Sequence, residues 1–129
     1  MSQSTSGNVI LNIDGLVTDI NGIRGQVAAL ESRRYIVEES HDGTEWYRVW
    51  SDGWTEQGGI TSTFGATDIT VSLSKSFSNT NYTVTLATLY SSNGMTNDGG
   101  YVKSKATTEF IIHSEATAVK AAMWYACGY

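Results

Sequence analysis

The side chains able to do chemistry are few and badly placed for it. His41 and His113 are the only histidines in the 129 residues, they lie far apart, and neither sits beside the single cysteine, Cys127, or a G-x-S-x-G elbow. No H-x-H, H-E-x-x-H or cysteine pair offers metal-ligand spacing, so no metal and no cofactor is expected. Each histidine reads as a surface or packing residue. Glu38, Glu39, Asp42 and Glu45 imitate the paired carboxylates of a glycosidase, but a solvated loop face explains them better. Cys127, two residues beyond Tyr125 in a strand-like run, reads as a small buried hydrophobe. Gly58 and Gly59 open no phosphate-binding helix. The expectation is a protein that binds and is not an enzyme.

Charge narrows what it binds. The net charge of −5 and a pI near 4.8 disfavour nucleic acid and anionic membrane surfaces. No apolar run approaches the ~18 residues that would span a bilayer, so no membrane insertion is expected. One cysteine forms no internal disulfide, and proline is absent. Only 16% of residues are charged, against ~25% in average domains, and Ser, Thr, Gly and aromatic residues are abundant, a composition that leans toward β structure.

Two segments offer contact surfaces. Glu45-Trp46-Tyr47-Arg48-Val49-Trp50, the loop Ser51-Asp52-Gly53, and Trp54-Thr55-Glu56-Gln57-Gly58-Gly59 read as a β-hairpin. In that register Trp50 faces Trp54, Arg48 faces Glu56 and Trp46 stands over Gly58. One face then carries Trp46, Arg48, Trp50 and Trp54, a platform for stacking on a sugar ring, although burial in the core or between protomers would gain more from three indoles. The second segment is the Gly/Asn/Ser loop 91–100. Its Asn93, Met95, Asn97 and Asp98 suit contact with a receptor, and Tyr90 and Tyr101 frame it with stacking faces.

These surfaces need elements to hold them. Val9, Ile13, Leu16, Ile20, Ile23, Val27 and Leu30 are spaced 4-3-4-3-4-3, an unbroken heptad seam. Asp19 and Arg24 fall where neighbouring parallel chains pair opposite charges. Gly15, Gly22 and Gly25 land on outer positions and weaken a lone helix by ~1 kcal/mol each, so the helix needs partners. Isoleucine on both seam positions favours a parallel homotrimer. Beyond Arg34 the period changes from 3.5 to 2. Strands are expected at the hairpin and at Asp68 to Leu73, Asn81 to Tyr90, Gly100 to Lys105, Glu109 to His113 and Ala121 to Cys127.

The fold class expected is therefore all-β: a compact antiparallel β-sandwich head preceded by a short α-helical coiled-coil stalk. Residues 1–8 read as a flexible leader, 9–33 as the trimerisation stalk and 34–129 as the head.

EWYRVWSDGWTEQGG at Glu45 to Gly59, FSNTNYTVTL at Phe77 to Leu86 and the closing MWYACGY at Met123 to Tyr129 make the last 90 or so residues resemble the C-terminal tip domains of bacteriophage tail fibres. Such tips are compact β-sandwiches, some similar to the H-type lectin fold, that trimerise at the distal end of a fibre. The resemblance implies a virion protein assembled in the host cytoplasm, which binds a bacterial surface receptor, a glycan or an outer-surface protein, during adsorption. Two other uses of the same layout are a trimerisation cap without receptor contact and a lectin-like carbohydrate-binding module. A depolymerase is disfavoured by the small size and the lack of an acid pair.

Overall fold

A computed structural model describes residues 2–90 and 100–129, with the helix side chains described from Ile13 onward. The chain divides into two units, one ending at Arg34 and the other Tyr35–Tyr129.

The first unit is one helix, α1 (Ser2–Glu31). It begins earlier than the expected stalk and takes in residues 2–8, where a flexible leader is expected from the sequence. That segment contains no proline, and extending an existing helix adds one hydrogen bond per residue fixed. The C-terminal end comes two residues short of expectation, where Ser32 Oγ donates to the Ala29 carbonyl at 2.8 Å and the Arg33 amide turns back to Leu30. Ile13, Leu16, Ile20, Ile23, Val27 and Leu30 are each 39–58% exposed in the single chain. The apolar stripe thus has no cover within its own unit. The side chain of Val9 lies outside the described residues.

The second unit contains β1 (Ile36–Asp42), β2 (Glu45–Trp50), β3 (Thr55–Ile60), β4 (Thr67–Ser72), β5 (Thr83–Tyr90), β6 (Tyr101–Lys105), β7 (Glu109–Ser114) and β8 (Lys120–Gly128). They form a five-stranded sheet in the order β1-β2-β3-β8-β5 and a three-stranded sheet in the order β4-β7-β6, with every pairing antiparallel. The all-β expectation holds for this unit. One element was missed: the acidic stretch read as a solvated loop is strand β1, which pairs Glu39 with Arg48 and Asp42 with Glu45. Its charged side chains suit a sheet edge, where they discourage pairing with another chain.

The two sheets share one core. Trp124, Ala122 and Ala126 of β8 meet Phe110 and Ile112 of β7 and Val71 of β4, joined by Phe64, Phe77 and Tyr82. Phe110 and Trp124 pack edge to face at 5.4 Å, and Phe77 stacks on Tyr82 at 4.2 Å. Each such side chain contributes ~1.5–3 kcal/mol by burial. Alternation along β5 puts Val84 and Leu86 toward this core while Thr83, Thr85 and Ala87 stay exposed, as the period-2 pattern anticipated.

Polar side chains close the gaps between the sheets and their loops. Gln57 is fully buried and pairs like a backbone amide with residue 75, donating from Nε2 to the carbonyl at 2.7 Å and accepting the amide at 3.1 Å. Lys120 is also fully buried. Its ammonium donates to the carbonyls of Ala116 at 2.9 Å and Ala118 at 3.1 Å, and it stands 5.1 Å from the centre of the Phe64 ring.

Candidate functional site

The hairpin folds in the register its sequence implied. Trp46 pairs with Gly58 and Arg48 with Glu56, and the Trp50 amide donates to the Trp54 carbonyl at 2.8 Å. Gly58 is needed there, because a Cβ would lie 2.9 Å from Trp46 Nε1 and 2.8 Å from the Trp124 carbonyl oxygen. Partners across antiparallel strands share a face. Trp46 and Arg48 therefore lie with His41 and Glu39 of β1 and with Tyr125 and Cys127 of β8.

This is the face opposite the core. Of the two places expected to bury Trp46, Trp50 and Trp54, the core is corrected: the indole that enters the core is Trp124, while the three hairpin indoles are half-buried on the outer face of the single chain. Cys127, expected to be buried, is half-buried on the same outer face. The second sheet covers only one side of the first, and that side holds Gln57, Trp124 and Ala126.

The outer face is internally bonded. Glu56 accepts from Trp50 Nε1 at 2.7 Å and from the Tyr125 hydroxyl at 2.7 Å. Burial, with that carboxylate beside it, holds the Tyr125 phenol above its usual range and so protonated. Arg48 lies 5.7 Å from the Trp46 ring centre, Trp46 packs on Tyr125 at 6.0 Å, and Trp54 meets Tyr129 edge to face at 5.2 Å. Glu56 thus ties Trp50 to Tyr125, while Arg48 Nε on the same face is buried without a hydrogen-bond partner.

The outer face of the smaller sheet carries a second cluster. Asp68, His113 and Tyr101 are successive partners across β4, β7 and β6. The Asp68 carboxylate takes a salt bridge from Lys103 Nζ at 2.7 Å and a short contact from His113 Nδ1. Tyr101 packs edge-on to the His113 ring at 5.5 Å and is 53% exposed. Sequence reasoning named Tyr101 as a contact residue, read His113 as a surface or packing residue and gave Asp68 and Lys103 no role. The available signal was alternation, which places residues 101 and 103, and 111 and 113, on common faces, whereas the pairing that adds Asp68 is set by the sheet.

Lys103 first, then His113, holds the Asp68 carboxyl below the usual carboxylate range, and Lys75 with Tyr47 does the same for Glu38. A depressed folded pKa contributes stability that is present above the unfolded value of ~4 and is lost as pH falls through the folded value. Asp68→Asn should therefore flatten the loss of stability below about pH 4, read as the urea midpoint against pH. An unchanged acid slope would show that the cluster contributes nothing to acid sensitivity.

Of the proposed receptor-contact residues, Tyr90 ends β5, is 38% exposed and pairs with Lys120, while Tyr101 opens β6. The two belong to different sheets, so residues 91–100 connect one sheet to the other. Asn93, Met95, Asn97 and Asp98 lie outside the described residues. Among the described residues, no group of three or more His, Cys, Asp or Glu is placed to hold a metal ion, and no helix is long and apolar enough to cross a membrane.

No protein-family model matches the chain, and no curated protein does. Solved structures of similar fold are an N-truncated R2-type pyocin tail fibre (TM-score 0.55, 19% identity, covering 72% of this chain and 38% of that one), a Pseudomonas aeruginosa R2 pyocin fibre (0.52, 18%, 72% and 26%) and a P. aeruginosa R1 pyocin fibre (0.55, 16%, 71% and 28%). The chain thus spans well under half of each of these fibres. Its structural neighbours are pyocin tail fibres, and the chain shares the fold of part of each of them.

Proposed function

We propose that this chain is the distal part of a tail fibre, a homotrimer with an N-terminal coiled-coil stalk and β-sandwich heads that bind a bacterial surface receptor, either a glycan or an outer-surface protein. The observation that carries the reading is the fold shared with pyocin tail fibres, in a chain whose helix leaves an apolar heptad seam uncovered. An exposed stripe of that length is stabilised by parallel copies of itself. The protein is a virion component that assembles in the host cell, and it acts by binding, without turnover of the receptor.

The internally bonded hairpin face favours stability, whereas a loop of small polar residues tolerates change. Recognition is therefore assigned to Tyr90, Tyr101 and the loop between them. Single Ala substitutions at Tyr90, Asn93, Met95, Asn97, Asp98 and Tyr101 should lower adsorption of the purified protein to bacteria while leaving the melting temperature unchanged. Trp50→Ala should lower the melting temperature first. Normal adsorption of the loop variants, with adsorption lost and stability kept in Trp50→Ala, would move recognition to the hairpin. Failure of the unsubstituted chain to adsorb to any strain, or shortening of the glycan on cells that it does bind, would instead overturn receptor binding without turnover.

A further inference from the structure

An antiparallel sheet with one face on the core ordinarily turns polar side chains to water on the other. The smaller sheet obeys this, for its outer face carries Asp68, Lys103 and His113. The five-stranded sheet does not. Across β3, β8 and β5 its outer face presents Ile60, Met123 and Ala87 in one row, Ala121 and Leu89 in another, and Tyr125 beside them. Ile60, Met123 and Leu89 are 39%, 37% and 45% exposed. The one charged side chain on this face of the three strands, Glu56, is already bonded to Trp50 and Tyr125. Three strands at ~4.8 Å spacing and ~3.3 Å per residue, over the eight residues of β5, make a patch on the order of 350 Å². Patches of that size are often functional contact surfaces.

Two observations point to other copies of this chain as the occupant. The helix leaves its own apolar seam uncovered, which calls for parallel copies. Only Ser32, Arg33 and Arg34 separate that helix from the head unit. A connection this short, at most ~3.6 Å per residue, tethers the heads of one trimer near each other, at the roughly millimolar effective concentration that short linkers give. A surface so held meets its copies before any free partner. Other occupants fit less well. A glycan calls for free hydrogen-bonding side chains, of which the patch has few, and an anionic surface is opposed by the net charge of −5.

We propose that the outer faces of the three five-stranded sheets pack against one another inside the trimer, with Ile60, Ala87, Leu89 and Met123 at the contact. This rests on the trimer reading and adds which surface of the head the copies share. It gives the assembly a second source of stability beside a stalk whose helix is weakened by Gly15, Gly22 and Gly25. The tether supplies the concentration, so heads released from the seam are expected to be monomeric at micromolar protein.

The test is maleimide labelling of the full chain in a Cys127→Ala background. Ala87→Cys places a thiol at the proposed contact, and Thr70→Cys places one on the outer face of the smaller sheet. Each is labelled as the assembled protein and again with Ile20 and Ile23 replaced by Asp, after sedimentation has established the state of every sample. The Ala87→Cys thiol should react ~10-fold or more slowly in the trimer than in the monomer, because labelling follows the fraction of open protein. The Thr70→Cys thiol should react equally in both. Should Ala87→Cys fail to assemble, Thr85→Cys on the same face of β5 takes its place. If the Asp pair leaves a trimer, the Thr70→Cys thiol of the same trimer is the reference.

Equal Ala87→Cys rates in trimer and monomer, or equal slowing of both thiols, overturn the proposal and leave the trimer reading standing. An unsubstituted chain that sediments as a monomer overturns both. Protection of Ala87→Cys that arises only when bacteria are added gives the face to the receptor and overturns the proposal as well.

Discussion

On the proposed assembly, the unsubstituted chain should sediment at three times 14.0 kDa, and replacing Ile20 and Ile23 together with Asp should give monomers at micromolar concentration. The two side chains occupy both kinds of seam position, and in the single chain they are 39% and 58% exposed, so in the proposed trimer other copies would bury them. Each Ile that loses its partner forfeits ~1.5–3 kcal/mol. Each Asp introduced must also be desolvated without a counter-ion, which costs several kcal/mol more. Three chains carry the change at once. Association should therefore weaken by many orders of magnitude, read by sedimentation equilibrium. The head forms a separate compact unit, so its β-sheet circular dichroism should persist in the variant. A variant that stays trimeric would show that the heads alone hold the assembly and that the seam is incidental.

Lys120→Met should be strongly damaging to the head. Methionine keeps most of the apolar stem of lysine, so what it removes is the ammonium and its bonds to the Ala116 and Ala118 carbonyls. Neither sequence position nor composition warns of this, because a lysine is rarely fully buried. With the donor gone, two carbonyls held around a buried site lose their partner, and the loop before β8 loses its anchor. A buried group left unsatisfied costs ~1–3 kcal/mol. A loss of about 3 kcal/mol is expected, which lowers the melting temperature of a domain of this size by ~10–20 °C. Lys120→Arg, which retains the charge but is larger and planar, should recover only part of it. An unchanged melting temperature for Lys120→Met would mean that the loop is held by its backbone alone.

Short-range regularities were legible without a structure. The 4-3 spacing from Val9 to Leu30 specifies a helix with one apolar seam, because the period of a helix is a local property of the backbone, and α1 runs through it. The hairpin register that sets Arg48 against Glu56 was likewise readable, since a short loop ties the pairing of its two strands. The strand periods around Val84 and Ile112 were read in the same way.

Tertiary structure decided the rest. Alternation divides a strand into two faces without saying which one turns inward, and in β2 both faces carry large side chains: Trp46, Arg48 and Trp50 on one, Tyr47 and Val49 on the other. The second sheet settled this by covering the side of Gln57 and Trp124, which left the hairpin indoles outside. Strand β1 was obscured by its acidic residues, which suit a sheet edge as well as they suit a loop. The pairing of Asp68 with His113 spans 45 residues, and that of Gln57 with the backbone at Lys75 spans 18. No local period encodes such contacts. They arise where strands and loops distant in the chain are brought side by side, Asp68 with His113 by pairing within the smaller sheet and Gln57 with Lys75 by the packing of a loop on β3.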